Sequence, residues 1–426
     1  HDNLDVENNK TYILYYDSLF KNIFFRNDNI NNYIFDRNKF TKGILNEHSY
    51  EFIKNEIETN FPNSKILVLC PTSKTNLKTL ANDIINCIFN IKNNYDRVHL
   101  FATTDLTHYG SRFNNLDMFK KPVQYNKWKL EENLILNLLN NKIDHSDLDK
   151  ICGIYSIQTF LYISDYFKWK SRVVDYYDSA NFEDNLLIDK YSIKLDKNIS
   201  EFVSYISIIY GNFINFNNKL LLPNDIIMAL SLIKTNLYLK LSNDHNDNEF
   251  ILPKWNTFNN INNGIFISIF SNNNTNSCIG QFQKKTNDVN SSIKISNCCK
   301  KLISDSINRW NNPIDINNLN NINLKIEILD DISFWKIYNS INTNNLLNMN
   351  SNKGVYLELY NNKNATFLPN VLFDMRKLWN IDNYMNNLSL KAGGYIDDWK
   401  NIDSIIKIYD TISFKFLNEK NLITTI

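Results

Sequence analysis

Two kinds of apolar run alternate in the first half of the chain. Lys65-Ile-Leu-Val-Leu-Cys70 and Val98-His-Leu-Phe-Ala102 are short and unalternated, the pattern of strands buried on both faces of a parallel sheet. Between them, after Pro71-Thr-Ser73, apolar residues recur at Leu77, Leu80, Ala81, Ile84, Ile85 and Ile88. Offsets of three and four predict one face of an amphipathic helix. Strand, helix, strand in that order reads as a βαβ unit, and so as a parallel sheet. Upstream, Glu47-His-Ser-Tyr-Glu51 opens a helix with Ser49 as its candidate cap. Helical spacing returns over 128–143 and 152–167, and strand patterns over 172–177 and 202–210.

The pattern changes past residue 212. An Asn-rich stretch leads to Pro223-Asn-Asp225, which starts a helix running to Leu241. Gly264-Ile-Phe-Ile-Ser-Ile-Phe270 is strand-like and turns back into Cys278-Ile-Gly280. The runs 324–329, 355–360 and 412–416 alternate with period two, as strands half exposed to water do, with helices between them. These patterns predict an α/β domain at 1–212, a linker at 213–219 and an α+β domain at 220–426.

Composition narrows the classes. Lys plus Arg number 46 against 45 Asp plus Glu, a net charge of +1, which gives no electrostatic footprint for nucleic acid. No apolar run reaches the roughly 18 to 20 residues of a membrane helix. Six cysteines, sparse apart from the Cys298-Cys299 pair, point to a reducing compartment rather than a disulfide framework. The expectation is a soluble, cytoplasmic protein. Asn is abundant where Gly and Pro are few, and it supplies turn chemistry through its tolerance of left-handed backbone. The chain opens on His1 rather than Met, so a preceding segment is an open alternative.

The residues with most chemistry lie in Thr103-Thr-Asp-Leu-Thr-His-Tyr-Gly-Ser-Arg-Phe113. On the strand reading they form a loop at a carboxyl strand edge, where α/β sheets collect their sites. A histidine can act as acid or base or ligate a metal, and Asp105 stands three residues before His108, able to orient its ring. A hydrogen-bonded loop histidine beside a turn-capping aspartate is the plainer alternative.

The stretch resembles the Ser-Ser-Asp-x-x-His-x-Gly-x-Arg-Phe signature of the Memo (mediator of cell motility) family. Glu47-His-Ser-Tyr-Glu51, Ile151-Cys-Gly153 and Asp175-Tyr-Tyr-Asp-Ser179 are similar, in the family's order, to three further motifs. The resemblance implies a fold similar to class III extradiol dioxygenases, lacking its first elements here, and a non-haem pocket for iron or copper. Carried over, Cys152 and His1 become metal ligands, and His108, with Asp105 lining the same pocket, moves protons. His48 takes a structural or rim role. The family's Pro-His-Ala-Gly ligand motif has no counterpart in this chain. Either a segment preceding His1 supplies it, or the pocket has degenerated.

Cys278-Ile-Gly280, Ala365-Thr-Phe-Leu-Pro369 and Lys391-Ala-Gly-Gly-Tyr395 followed by Trp399 resemble motifs of the AMMECR-type family. Asp305 and Arg309-Trp-Asn-Asn-Pro313 stand where that family has Asp-x-Arg-Phe-x-Pro. Asn276-Ser277 replace its Arg-Gly, so the expected cation beside Cys278 is missing. With His245 the lone histidine of this half, no Cys-His couple is supported. Cys278 then reads as packed under the sheet, Gly280 as required by backbone geometry, and Cys298-Cys299 as without a role. The pairing of the two resemblances implies a radical SAM protein as a partner. Two functions follow: a metal-dependent redox enzyme, or an adaptor that binds a small molecule or peptide in a degenerate pocket.

Overall fold

The computed structural model describes residues 11–16, 33–34, 48–91, 98–110, 123–142, 151, 153–179, 201–212, 221–242, 251–261, 264–271, 274–282, 291–335, 353–371, 378–417 and 422–425. It is a mixed α/β structure that divides into two compact units. One comprises His1–Asp184, Asp196–Asn217 and Pro253–Trp255; the other comprises Asn185–Leu195, Asn218–Leu252 and Asn256–Ile426.

In the first unit β1 (Thr11–Tyr16) lies between β2 (Tyr33–Ile34) and β3 (Leu67–Cys70). Helix α1 spans His48–Asn60 and α2 spans Leu77–Ile91. The turn before α2 is closed by Thr75 N–H to Thr72 O at 3.0 Å. Asn76 then caps the helix, accepting from Thr79 N–H at 3.2 Å. The predicted apolar face of α2 is the one buried: Ala81 and Ile85 pack on Ile163 of α4 (Ile154–Phe167), with Leu100 and Trp169 around them. Each fully buried aliphatic side chain there contributes about 1.5–3 kcal/mol. A second sheet sets β6 (Glu201–Gly211) between β4 (His108–Gly110) and β5 (Lys170–Asp178), and α3 (Val123–Leu139) packs on β5.

Among the described residues the predicted parallel sheet is not seen. β1 and β3 pair antiparallel, as do β4 with β6 and β5 with β6; β1–β2 is the parallel pairing among the described residues. Residues 98–102 carry no strand hydrogen bonding, and the strand begins only at His108. Within the run, Leu100 packs on the α2–α4 cluster, which needs no sheet, while Phe101 is exposed.

The second unit is built on an antiparallel sheet in the order β11-β10-β12-β9-β7-β8, with β13 on β12. Its strands are β7 (Ile265–Ser271), β8 (Asn274–Gln281), β9 (Asn323–Trp335), β10 (Gly354–Glu358), β11 (Asn364–Phe367), β12 (Ile405–Leu417) and β13 (Leu422–Thr425). Register stacks Ile265, Ile267 and Ile269 on Ile328, Ile326 and Leu324, and the last two on Phe414 and Phe416. Helix α6 (Ser291–Asn308) packs on β7 and β8, and α5 (Pro223–Leu241) packs on α6. Helix α7 (Ile381–Lys391) closes a separate cluster over β10 and β11 with Val355, Leu357, Tyr384, Met385 and Leu388.

Period-two alternation in β9 was expected to mean one wet face. Both faces are buried instead. Lys325 and Glu327, the polar half of the alternation, form an ion pair at 2.9 Å with side chains 6% and 2% exposed.

Candidate functional site

Each unit holds a cluster of chemistry-bearing side chains. In the first, β4 is short, and the backbone before it continues the pairing: Leu106 N–H donates to Ser204 O at 3.0 Å, and Ser204 N–H to Thr107 O at 3.1 Å. This holds Asp105 and His108 on one turn, with His108 Nε2 3.5 Å from Asp105 Oδ2 and both side chains partly open to solvent. Opposite register partners share a face, so His108, across from Val203, lies on the face of Tyr205 and Tyr177. Those two rings stack at 5.1 Å. Burial first, then the Asp105 charge and then Tyr177, raise the Tyr205 pKa.

The other face of the same sheet is dry and polar. Lys127 pairs with Asp178 and sits 5.0 Å over the Tyr176 ring. Glu131 accepts from the hydroxyls of Tyr176 and, at 3.4 Å, Tyr109. Burial raises the Glu131 pKa against the opposing pull of the Tyr176 hydrogen bond and the Lys127 charge. Sequence reading passed over this network, although Lys127 and Glu131 stand four apart on α3, one helical turn.

Among the described residues no three His, Cys, Asp or Glu side chains meet as a metal site. The two expected ligands, His1 and Cys152, lie outside the described residues, as do Arg112 and Phe113. Gly153, next to Cys152 in sequence, is placed: its N–H donates to Thr104 Oγ1 at 2.8 Å. A Cβ there would come within 2.6 Å of Thr103 O. The Ile-Cys-Gly and Thr-Thr-Asp stretches therefore touch, and this glycine is required by that approach.

In the second unit the motif residues converge. β8 is an edge strand, whose outward backbone groups need partners. The Cys278 N–H donates to Asp305 Oδ2 at 3.0 Å, and the same oxygen accepts from Ser277 Oγ at 2.8 Å and Trp310 Nε1 at 3.2 Å. Asp305 lies near the end of α6. Beyond it the chain turns through Asn311 in the left-handed region, φ 49°. Arg309 stacks on Trp310 with its Cζ 5.0 Å from the ring, and its Nη1 lies 3.8 Å from Asp305 Oδ1 and 3.5 Å from Cys278 O.

Lys391, the last residue of α7, donates from Nζ to Thr366 O at 2.8 Å and lies 4.9 Å from the Phe367 ring. Thr366 in turn bonds the Tyr409 hydroxyl at 2.5 Å. Beside Cys278, the cation that Asn276-Ser277 do not provide comes from Arg309, just past the end of α6. Burial raises the Cys278 pKa against the opposing pull of the Ser268 hydrogen bond, Glu327 adds to the rise, and the charges of Arg309 and Lys391 lower it by less. Ser268 Oγ donates to Cys278 Sγ at 3.3 Å. The thiol accordingly keeps its proton and is a poor nucleophile.

The requirement for Gly280 differs from the expected one. Its φ is not positive. Phe266 lies across the strand pair, and a Cβ on Gly280 would sit 1.9 Å from its ring. Cys298 and Cys299 are both 1% exposed, and burial pushes the Cys298 thiol up to about 12.

No curated protein matches the chain. Among solved structures it is similar to the uncharacterized protein PH0010 from Pyrococcus horikoshii. The identity is 13% and the TM-score 0.37, over 47% of this chain and 95% of that one. Residues 229–414 match the AMMECR1 family. The site around Cys278 lies inside that span, so the C-terminal half of the chain carries an AMMECR1 domain.

Proposed function

We propose that the AMMECR1 domain binds a small anionic ligand beside Cys278, with Arg309 and Lys391 as its receptors. One observation carries this reading: the Arg309 guanidinium lies on the Trp310 ring with its Nη1 3.5 Å from Cys278 O, half exposed at the edge of the sheet. Asp305 Oδ2 accepts three hydrogen bonds, and its Oδ1 lies 3.8 Å from Arg309 Nη1, a loose pairing that holds the half-exposed guanidinium in place. Glu327 is paired with Lys325. A carboxylate or phosphate arriving at this partly desolvated place gains more than it would in water. Calorimetric titration with inorganic phosphate and with lactate tests the reading. Binding that weakens by about tenfold or more in Arg309→Gln supports it, in line with loss of a charge-assisted hydrogen bond. Equal binding by the native and Arg309→Gln proteins overturns it.

A second reading concerns the first unit, where the resemblance to Memo proteins implies a redox role at an iron or copper site. It is favoured by the hydrogen bond that joins Gly153 to Thr104 and by the Asp105–His108 pair. His1 and Cys152 would hold the metal, a donor set of imidazole and thiolate that suits either ion. His108, oriented by Asp105, would hold or move a proton at Nε2. Metal analysis of protein purified without added metal decides it: iron or copper near one per chain, lost in Cys152→Ala, is the supporting result.

A further inference from the structure

We propose that the outward face at the end of α6 docks an acidic segment of a partner protein, in which side-chain carboxylates flank a large apolar residue. The inference rests on the anion-binding reading and names what carries the anion. Helix α6 buries Ile295, Cys298, Cys299 and Leu302 on one side. Its opposite side should then be polar throughout. Lys300 and Lys301 follow that rule and are exposed, but Ile307 does not. It stands seven residues after Lys300, on the same face, and is 55% exposed. Arg309 and Trp310 continue the surface just past the helix end, both open to solvent. Between Lys300 and Trp310 the one acid is Asp305, and it is turned inward to Ser277, Cys278 and Trp310. The outward positions therefore hold three cations and two apolar side chains, a surface complementary to negative charge with an apolar centre.

This surface is held in shape before anything binds. The Arg309 guanidinium lies over the Trp310 ring, with its Nη1 3.5 Å from Cys278 O. Beyond it, Asn312 N–H donates to Ser306 O at 2.9 Å and Ile314 N–H to Ser306 Oγ at 3.3 Å. Asn276 Nδ2 holds the same turn through Asn312 O at 3.2 Å. A turn already ordered costs little more on binding, and Arg and Trp are side chains on which interface energy concentrates. From Lys300 to Asn308 the face runs about 12 Å, the reach of about four extended residues. A segment of that length sets one carboxylate on Arg309, an apolar side chain on Ile307 and Trp310, and a second carboxylate near the lysines. Three cations fall short of the roughly four to eight that mark a surface reading anionic lipid, which favours a protein partner over a membrane.

The test uses the full chain and a labelled peptide with blocked ends, Glu-Asp-Phe-Glu-Asp, with Gln-Asn-Phe-Gln-Asn as its uncharged counterpart. Fluorescence anisotropy gives affinity and stopped-flow gives the rates. The acidic peptide is expected to bind at least about tenfold tighter than the uncharged one. Arg309→Gln should weaken it about tenfold through faster dissociation, and Ile307→Ser about threefold. Lys300→Gln with Lys301→Gln should instead slow association and flatten its salt dependence, with dissociation unchanged. Equal binding of the two peptides, or binding of neither, overturns the proposal. So does acidic-peptide binding that Arg309→Gln and Ile307→Ser both leave unchanged in protein of native circular dichroism, or adsorption to phosphatidylserine vesicles without peptide binding. If phosphate and lactate still bind where the peptide fails, and lose affinity in Arg309→Gln, the docking surface alone falls. If none of the three binds, the anion site falls with it.

Discussion

Lys234 places an ammonium at a point 1% exposed, 5.1 Å over the Phe416 ring, and burial lowers its pKa to about 8. The sign follows from linkage. Folded Lys234 gives up its proton near pH 8 while the unfolded chain holds it to its ordinary value of 10.5. The penalty is therefore present in full below pH 8 and fades as pH rises toward that ordinary value. Lys234→Met should stabilise the protein by about 1–3 kcal/mol at neutral pH. Urea denaturation at pH 7 and pH 10 checks this, with the advantage of the variant shrinking at the higher pH. Gly280 offers the opposite case. Gly280→Ala drives a methyl into the Phe266 ring and should cost about 1–3 kcal/mol, the usual range for overpacking. Adding Phe266→Leu should restore part of that loss in the same denaturation series.

At the scale of elements, β9 shows where local pattern and tertiary structure part. Leu324-Lys-Ile-Glu-Ile-Leu329 alternates as a half-wet strand should, yet Lys325 and Glu327 are buried against each other. Period two reports which residues share a face. It does not report whether that face meets water. Breaking the pair with Glu327→Leu alone should destabilise by about 3–5 kcal/mol, whereas Lys325→Met with Glu327→Leu should be near neutral or stabilising. A double-mutant cycle by chemical denaturation separates these outcomes. The helices were more legible. The apolar spacing from Leu77 to Ile88 and the Pro223 start both correspond to helices, Leu77–Ile91 and Pro223–Leu241. Helix spacing is set by neighbours along the chain, which sequence displays directly. Strand direction depends on distant residues, so nothing local in 65–70 told that β3 pairs antiparallel with β1. In the 98–102 run Leu100 meets a helix contact rather than a sheet, a burial that sequence cannot tell from a strand.

Over the whole molecule, the two units differ in what their sequences disclosed. The AMMECR1 domain was legible through short motifs, and the structure joins Cys278 to Asp305 and Arg309, and Lys391 to Thr366. What the motifs concealed was the source of positive charge at Cys278, because Arg309 reaches the Cys278 carbonyl only once α6 has packed on β8. In the first unit Asp105 and His108 were legible as a pair, while the Lys127–Asp178 and Glu131–Tyr176 contacts span 51 and 45 residues and left no local trace. The second unit keeps its long sheet and its clusters within itself. A fragment of residues 218–426 is therefore expected to unfold cooperatively on heating, with Cys298 and Cys299 closed to a thiol reagent until it does. Their reaction before the thermal transition would refute that expectation.

The Asp305 carboxylate, with its three donors, has a kinetic consequence as well. Ser277, Cys278, Arg309 and Trp310 all lie within about one hairpin and one helix of it in sequence, so that half of the site closes through short loops. Short loops close early in folding. Lys391 and Thr366 arrive from much further along and must wait for β10, β11 and α7. A refolding chain would then hold an ordered receptor with only one of its cations, and its affinity for anions would return after its secondary structure has. Stopped-flow refolding followed by circular dichroism and by ligand binding would show that lag as the time the chain needs to bring in its second charge.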